Sequence, residues 1–290
     1  MMKIGFNEGS DWDCENHSIM KDLELCEEYG FDYIDIQNRC LDAELEAGTV
    51  TLEDLSEWFR THRLKVSSYN ALCDFNMCET PEEEAAKLDE LREAIRRCKL
   101  FGTDTIVVVP RENLKTPATI PEIHQDAVRV LRGMLALCEP DQIRLALEFC
   151  GQPAMSINRF LEAYAIVKEI DLPLLGMTLD HYHFHAMGSE WIDFEHADGG
   201  KIFAWHLNDT ENLPVGAPYN TYANRFWPYD PRGCVDMQRY VDTLKKIGYR
   251  EGICTLEVFR PEYYALTQEE NVRKSAECMK RFVEEYCADF

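Results

Sequence analysis

Short apolar segments alternate with longer amphipathic segments along the chain, and this alternation constrains the fold more than any other feature. We predict eight strands, at residues 3–6, 33–36, 66–72, 105–109, 144–149, 174–179, 202–207 and 253–258. Each is followed by a predicted helix, at residues 19–29, 52–62, 81–101, 122–138, 157–170, 191–197, 235–247 and 268–286. Because parallel strands joined by helices cross over with one hand, eight such units predict an α/β fold of the (β/α)8 TIM barrel type.

A sequence repeat supports this unit. A helix end, a glycine and a strand follow one another at Gly30, at Gly102 and, more loosely, at Gly248. Glycine is favoured there because it readily adopts the left-handed conformation that ends a helix. Since nothing in the sequence marks a linker, we expect a single domain over residues 1–290. A long loop over residues 210–234 follows strand seven, and loops of that length are usually functional.

The composition limits the classes of partner that we expect this protein to bind and indicates its cellular compartment. The formal net charge is −23, with 53 acidic against 30 basic residues, and nucleic-acid binding needs Lys and Arg to neutralise phosphates. The cysteines are scattered without a Cys-x-x-Cys pair, as is typical of free thiols in a reducing compartment. The sequence shows no signal peptide and no apolar run of membrane-spanning length. We therefore expect a cytoplasmic protein with no nucleic-acid and no membrane partner.

Four consecutive predicted strands end on side chains that can bind a metal ion: Glu148, Asp180, His206 and Glu257. The carboxyl ends of barrel strands carry the active site, so these residues should be neighbours around half of one rim. Three converging carboxylates repel one another unless a cation is present. One imidazole with three carboxylates predicts one divalent metal ion, which can be Mn, Co, Mg or Zn.

Other polar residues near this rim are candidates for supporting roles. His183 lies three residues beyond Asp180, in a predicted loop, where it can face a ligand; a hydrogen bond to a backbone carbonyl is the alternative. Asp209 can be the carboxylate partner of His206, or it can cap a turn. Strand alternation points His181 out of the barrel, and it has no assigned role. Aromatic side chains that could stack on a sugar ring are Trp12, Tyr219, Tyr222, Phe226 and Trp227.

The sequence also narrows the reaction. No glycine-rich phosphate loop follows a strand, and there is no Gly-x-Ser-x-Gly motif. A cation that binds adjacent oxygens of a hydroxyketone polarises the carbonyl and acidifies the neighbouring C–H bond. Carboxylates beside it could then move the proton by general base and general acid steps.

Segments 5–8, 145–149, 183–189, 198–203, 209–211 and 259–264 carry a resemblance that spans nearly the whole chain. They resemble the xylose-isomerase-like superfamily of metal-dependent sugar isomerases and epimerases, and most closely its inosose (2-keto-myo-inositol) isomerases of inositol catabolism. The resemblance implies that the four strand-end residues bind the metal ion. It implies that Glu148 and Glu257 carry the proton through an enediolate, and that His183 contacts a substrate oxygen.

The same resemblance suggests further substrate contacts. Asn7, Arg225 and Trp227 lie in or beside matching motifs and are candidates. The chain departs from the family pattern over residues 228–234, where Arg232 is introduced, so Arg232 is a candidate for substrate selectivity. The alternative for Arg232 is a surface arginine paired with a nearby aspartate.

We therefore predict an isomerase that shifts the carbonyl of an inosose, or of a related cyclic keto-polyol, to the adjacent carbon. The alternatives are a ketose 3-epimerase, a barrel endonuclease acting on abasic DNA, and a non-catalytic sugar-binding module. An endonuclease would need more histidine ligands and a basic groove. The expected partner is a small cyclic polyol or sugar, and the sequence leaves the oligomeric state open, a homo-oligomer included.

Overall fold

The computed structural model describes residues 2–218 and 221–290. Eight parallel strands close into a barrel in which neighbours in the chain pair with each other and the first strand pairs with the last. In chain order the barrel strands are Lys3–Asn7, Tyr33–Gln37, Lys65–Leu72, Thr105–Val108, Arg144–Glu148, Leu175–Asp180, Ile202–Leu207 and Ile253–Leu256. The prediction of a (β/α)8 barrel is confirmed.

Helices connect these strands. The α-helices are Ile19–Glu28, Asn38–Ala47, Leu52–Thr61, Pro81–Phe101, Ile120–Cys138, Phe160–Ile170, His181–Ala186, Trp191–Glu195, Met237–Ile247, Pro261–Tyr264 and Gln268–Tyr286. Short 3-10 turns lie at Glu8–Ser10, Glu139–Asp141, Gly199–Lys201 and Tyr222–Asn224. Among the described residues, no helix combines the length and the apolar character needed to cross a membrane.

The repeated glycines have the predicted conformation. Gly30, Gly102 and Gly248 all have positive φ angles, of 83°, 78° and 79°. Gly102 and Gly248 are the C-caps of their helices. A residue with a Cβ would be strained in this left-handed region, which explains why glycine recurs where a helix ends before a strand.

Three helices were not predicted, and one of them changes the setting of His183. Helix His181–Ala186 begins directly after strand six, and Asp180 caps it by accepting a hydrogen bond from the His183 backbone N–H at 2.8 Å. His183 therefore lies on a helix rather than in a loop. Within the predicted loop at 210–234, strands Asp209–Thr210 and Arg225–Phe226 form an antiparallel pair.

Alternation along the strands directs side chains either to the helices or to the barrel interior. Leu145 and Leu147 belong to the large hydrophobic cluster that also contains the helix residues. Ala146 belongs to a separate small cluster with Val107. Glu148 has the same parity as Ala146, so the strand directs its side chain into the barrel.

Candidate active site

The four strand-end residues converge as predicted. Glu148, Asp180, His206 and Glu257 are buried, and each offers a ligand atom within 4.8 Å of the others. Nδ1 of His206 lies 3.4 Å from Oε1 of Glu148 and 3.3 Å from Oε2 of Glu257. Ligands around a tetrahedral ion with bonds of about 2.0–2.1 Å are about 3.3 Å apart, so this spacing suits a single ion.

Unsatisfied polar atoms face one another in this cluster. Within the described part of the chain, Oε1 of Glu148 and Nδ1 of His206 are buried and have no hydrogen-bond partner. A buried polar atom without a partner is unfavourable, and a cation between these atoms would satisfy both. The set of one imidazole and three carboxylates therefore fits the predicted divalent ion.

The carboxylate partner of His206 is Asp35. Nε2 of His206 lies 3.1 Å from Oδ2 of Asp35, which is 1% exposed. Ser67 donates a short hydrogen bond to the other oxygen of Asp35, which fixes the carboxylate. Because Nε2 is held by Asp35, Nδ1 is the imidazole nitrogen that faces the acidic cluster.

Asp209, which we considered for this role, serves the neighbouring loop instead. Its Oδ1 accepts hydrogen bonds from the backbone N–H of Thr210 at 2.8 Å and of Val235 at 2.9 Å. A Cβ at Gly233 would lie 2.1 Å from the carboxyl carbon of Asp209, so the loop backbone packs closely on this side chain. The prediction that Asp209 supports His206 is therefore wrong, and its alternative role in a turn fits.

Asn208 and Arg225 hold Asp180 in place. Oδ2 of Asp180 accepts a hydrogen bond from Nδ2 of Asn208 at 2.8 Å and one from Nη2 of Arg225 at 3.1 Å. Asn208 also accepts from the backbone N–H of Tyr182 at 2.8 Å. The Arg225 guanidinium is fully buried and places Nη1 3.2 Å from Oε2 of Glu257. A buried cation beside two acids offsets part of their repulsion.

Two amides orient Glu257. Its Oε1 accepts hydrogen bonds from Nδ2 of Asn7 at 2.9 Å and from Nδ2 of Asn70 at 3.2 Å. Asn7 is 0% exposed and in turn accepts from Nε2 of Gln37 at 2.8 Å. Asn7 thus positions Glu257, whereas the sequence suggested that it contacts substrate.

The environments of Glu148 and Glu257 shift their pKa values in opposite directions. Burial is the main cause that raises the pKa of Glu148, to about 7, although His206 opposes it. Burial also acts to raise the pKa of Glu257, but the charges of His206 and Arg225 outweigh it and lower that pKa. A pair of carboxyl groups with separated pKa values is a common arrangement for general acid and general base.

A cavity of about 260 Å³ opens over these residues. Glu148, Glu257, His183 and Arg225 line its polar side. The other lining residues include Trp12, Asn38, Arg39, Val109, Tyr222 and Phe259. Ligand pockets commonly span roughly 300–1,000 Å³, so this one suits a small molecule with polar groups on one side.

His183 presents its imidazole to this cavity. Its Nδ1 accepts from the backbone N–H of Gly151 at 2.8 Å, and burial lowers the pKa of the imidazole to about 3. Nε2 of the neutral ring lies 4.0 Å from Oε1 of Glu148 and 3.1 Å from Nη2 of Arg225. The backbone partner of His183 is thus an N–H group and not the carbonyl that we gave as its alternative, and the side chain lines the cavity.

Comparison with known proteins places this barrel in a family. Residues 23–282 match the model of the xylose isomerase-like TIM barrel family. The chain belongs to this family. It is 37% identical to an inosose isomerase of Bacillus velezensis over 98% of both chains, and 38% identical to the inosose isomerase of Bacillus subtilis over 98% of this chain and 99% of that one. The crystal structure of the IOLI protein with a bound zinc atom superposes with a TM-score of 0.91, at 36% identity over 98% of this chain and 99% of that one.

Two further candidates for substrate contact, Arg232 and Trp227, are not among the residues that line the cavity. Arg232 is on the surface, where it pairs with Asp230 at 2.7 Å and with Glu262 at 3.1 Å. Trp227 is half-buried and stacks on Tyr263 with ring centroids 3.7 Å apart. The prediction that these two side chains bind substrate is therefore not supported, and for Arg232 the surface pairing that we gave as its alternative is what the structure has.

Some of the predicted aromatic side chains line the cavity and others do not. Trp12 and Tyr222 line the cavity, together with Phe259, which was not predicted. Phe226 is buried between the guanidinium groups of Arg232 and Arg260, at 4.4 and 4.0 Å. Tyr219 lies outside the described residues. A platform for a ring-shaped ligand is therefore available on one wall of the cavity.

Several residues of the site were missed in the sequence analysis. Asp35, Asn70 and Asn208 are buried polar residues at or near strand ends, which is the pattern that could have indicated them. Cys150 lines the cavity and forms, with Glu148 and His183, a group of metal-competent atoms that overlaps the main one. His181 is buried, accepts from Nε1 of Trp205 at 2.8 Å, and stacks on Tyr240.

Proposed function

We propose that this chain is a divalent-metal-dependent isomerase that moves the carbonyl of an inosose, or of a closely related cyclic keto-polyol, to the adjacent carbon. The observation that carries the proposal is the cluster of Glu148, Asp180, His206 and Glu257 opening on a small cavity. The full-length relatives named inosose isomerases support the same reaction.

Glu148 and Glu257 are the proposed proton carriers. The metal ion, when bound by the four strand-end residues, polarises the substrate carbonyl and acidifies the adjacent C–H bond. Glu257 has the lower pKa of the two and is suited to remove the proton from carbon. Glu148, whose pKa is raised by burial, is suited to return a proton to the neighbouring position.

Other groups orient the substrate in this proposal. His183 contacts a substrate oxygen on its Nε2 side, since its Nδ1 already accepts from the backbone N–H of Gly151. Asn7, Asn70 and Arg225 hold Glu257 so that its reactive oxygen keeps one direction. Trp12 and Tyr222 cover the apolar face of the substrate ring and keep water from it.

The substrate class and the compartment belong to the same proposal. A cavity of about 260 Å³ fits one small ring rather than a polymer, and the net charge of −23 disfavours nucleic acid. All twelve cysteines are free thiols, which suits the cytoplasm.

The test is turnover of 2-keto-myo-inositol followed by proton NMR in D2O. We expect the carbonyl to move to the adjacent carbon with uptake of deuterium, to stop after chelation, and to resume when Mn²⁺ is added. Absence of conversion by the metal-loaded protein would refute the inosose assignment. Inversion at C3 of a ketohexose, with the inosose left unchanged, would instead make the chain a 3-epimerase.

A further inference from the structure

A second group of acidic side chains surrounds His17, where the first strand ends and the first helix begins. Nε2 of His17 lies 2.9 Å from Oδ2 of Asp22, 3.7 Å from Oδ1 of Asp11 and 4.0 Å from Oε1 of Glu8. We call these four residues the His17 cluster. Ligand atoms of Glu8, His17 and Asp22 lie within 4.8 Å of one another, the same limit that the strand-end cluster meets.

The free atoms of this cluster point to a missing ligand. Oε1 of Glu8 and both carboxylate oxygens of Asp11 are buried and, as far as the described residues go, have no hydrogen-bond partner. Both residues are 0% exposed. The remaining oxygens are anchored, because Gln37 N–H donates to Oε2 of Glu8 at 2.9 Å and Gln268 donates to Oδ1 of Asp22 at 2.6 Å. These hydrogen bonds fix the carboxylates of Glu8 and Asp22. The free oxygens of Glu8 and Asp11 remain available to a ligand.

The charge of the cluster supports a cationic ligand. Three fully buried carboxylates face one imidazole, and Glu44 adds a further carboxylate 3.9 Å from Nδ1 of His17. Carboxylates that converge in this way repel one another, and one imidazole can carry only a single positive charge.

We propose that the His17 cluster binds a second divalent cation, through Nε2 of His17 and one oxygen each of Glu8, Asp11 and Asp22. The separations of 2.9, 3.7 and 4.0 Å bracket the value of about 3.3 Å between ligands of a tetrahedral ion. One nitrogen with three carboxylate oxygens suits Zn, Mn or Co. This donor set has the same composition as the strand-end cluster.

The cluster has a route to solvent. His17 and Glu44 line a cavity of about 620 Å³ together with Trp12 and Arg39. An ion can enter through this cavity, and a site needs such a path to load after folding.

The second ion would be structural rather than catalytic. Asn7 donates to Glu257, and Glu8 is the next residue in the chain. Gln37 donates hydrogen bonds to both Asn7 and Glu8. The ion would tie the end of the first strand to the first helix, and so hold the segment from which Asn7 reaches the strand-end cluster.

The experiment is to count Mn²⁺ bound to the chelator-treated full chain by equilibrium dialysis and elemental analysis. Mn²⁺ is the probe because twelve thiols would bind Zn²⁺ strongly. We expect two equivalents in the wild type and one in Asp180→Asn, which weakens the strand-end cluster. We also expect one equivalent in His17→Gln and none in the double variant.

Asp11→Asn keeps the test decisive if His17→Gln does not fold. Asparagine has nearly the shape and volume of aspartate, so the change removes the charge with little effect on packing, and the second equivalent should be lost. The matched control is Asp13→Asn, an exposed acid on the same cavity, which should keep both equivalents. One equivalent in the wild type, or a second one that survives both Asp11→Asn and His17→Gln, would overturn the proposal. The readout is independent of turnover, so failure of the proposed isomerase activity would not affect it.

Discussion

Oδ2 of Asp35 lies 3.1 Å from Nε2 of His206, although the two residues are 171 positions apart in the chain. This contact links strand two to strand seven across the barrel. It determines that Nδ1 of His206 faces Glu148 and Glu257. Asp35 therefore orients a metal-binding side chain, although it is not one of the four candidate ligands.

Replacing Asp35 by Asn should weaken metal binding at the strand-end cluster. The amide no longer provides the negative charge that orients and polarises the imidazole, and loss of such a partner lowers metal affinity about 10–100-fold. Competitive Mn²⁺ titration against a chelator dye measures this, and circular dichroism checks that the barrel is retained.

Asp209→Asn is the matched control for that measurement. Asp209 bonds to backbone N–H groups of its loop, so metal affinity should remain within about threefold of wild type. If Asp209→Asn weakened metal binding as much as Asp35→Asn, the assignment of Asp35 as the partner of His206 would be incorrect.

Glu257→Gln should keep the fold and part of the metal affinity but lose most turnover. The amide still offers an oxygen ligand and can accept from Asn7, but it cannot take up a proton, so we expect a loss in kcat of about 10²–10⁴-fold. Single-turnover kinetics on the metal-loaded variant measures this. A rate near that of wild type would remove Glu257 from the proton transfer.

Gly151→Ala should impair the reaction by moving His183. A Cβ at Gly151 would lie 2.5 Å from the His183 carbonyl oxygen and 2.7 Å from its Cα, so the backbone must shift. A misplacement of that size at a reacting centre lowers kcat/KM by about 10²-fold.

Gly133→Ala is the control for this change. Gly133 lies in helix Ile120–Cys138, and a Cβ there has nothing within 4 Å. The activity should be unchanged and Tm slightly higher, because alanine favours the helix. Wild-type kinetics in Gly151→Ala would show that His183 does not contribute through its position.

Arg232→Ala should leave catalysis almost unchanged. The guanidinium pairs with Asp230 and Glu262 on the surface, and exposed ion pairs contribute little. We expect kcat/KM on the inosose within about twofold of wild type and little change in Tm. A loss of tenfold or more would mean that the loop carries Arg232 to the substrate during turnover.

The sequence alone was sufficient for the barrel and for the four candidate ligands. Apolar periodicity is a local property, and it marked the eight strands within a few residues of their observed bounds. Parallel strands place all their carboxyl ends on one rim. Residues such as Glu148 and His206 could therefore be predicted as neighbours without knowledge of any contact.

The tertiary structure decided which polar residues support that centre. Asp35 rather than Asp209 meets His206, Asn7 reaches Glu257 instead of the cavity, and Arg225 is buried while Arg232 is exposed. Each outcome depends on strand register and on side-chain direction across the barrel. These are set when distant segments pack together, and local sequence patterns do not encode them. The His17 cluster was missed for the same reason, because its acids meet only after the first strand and the first helix have packed.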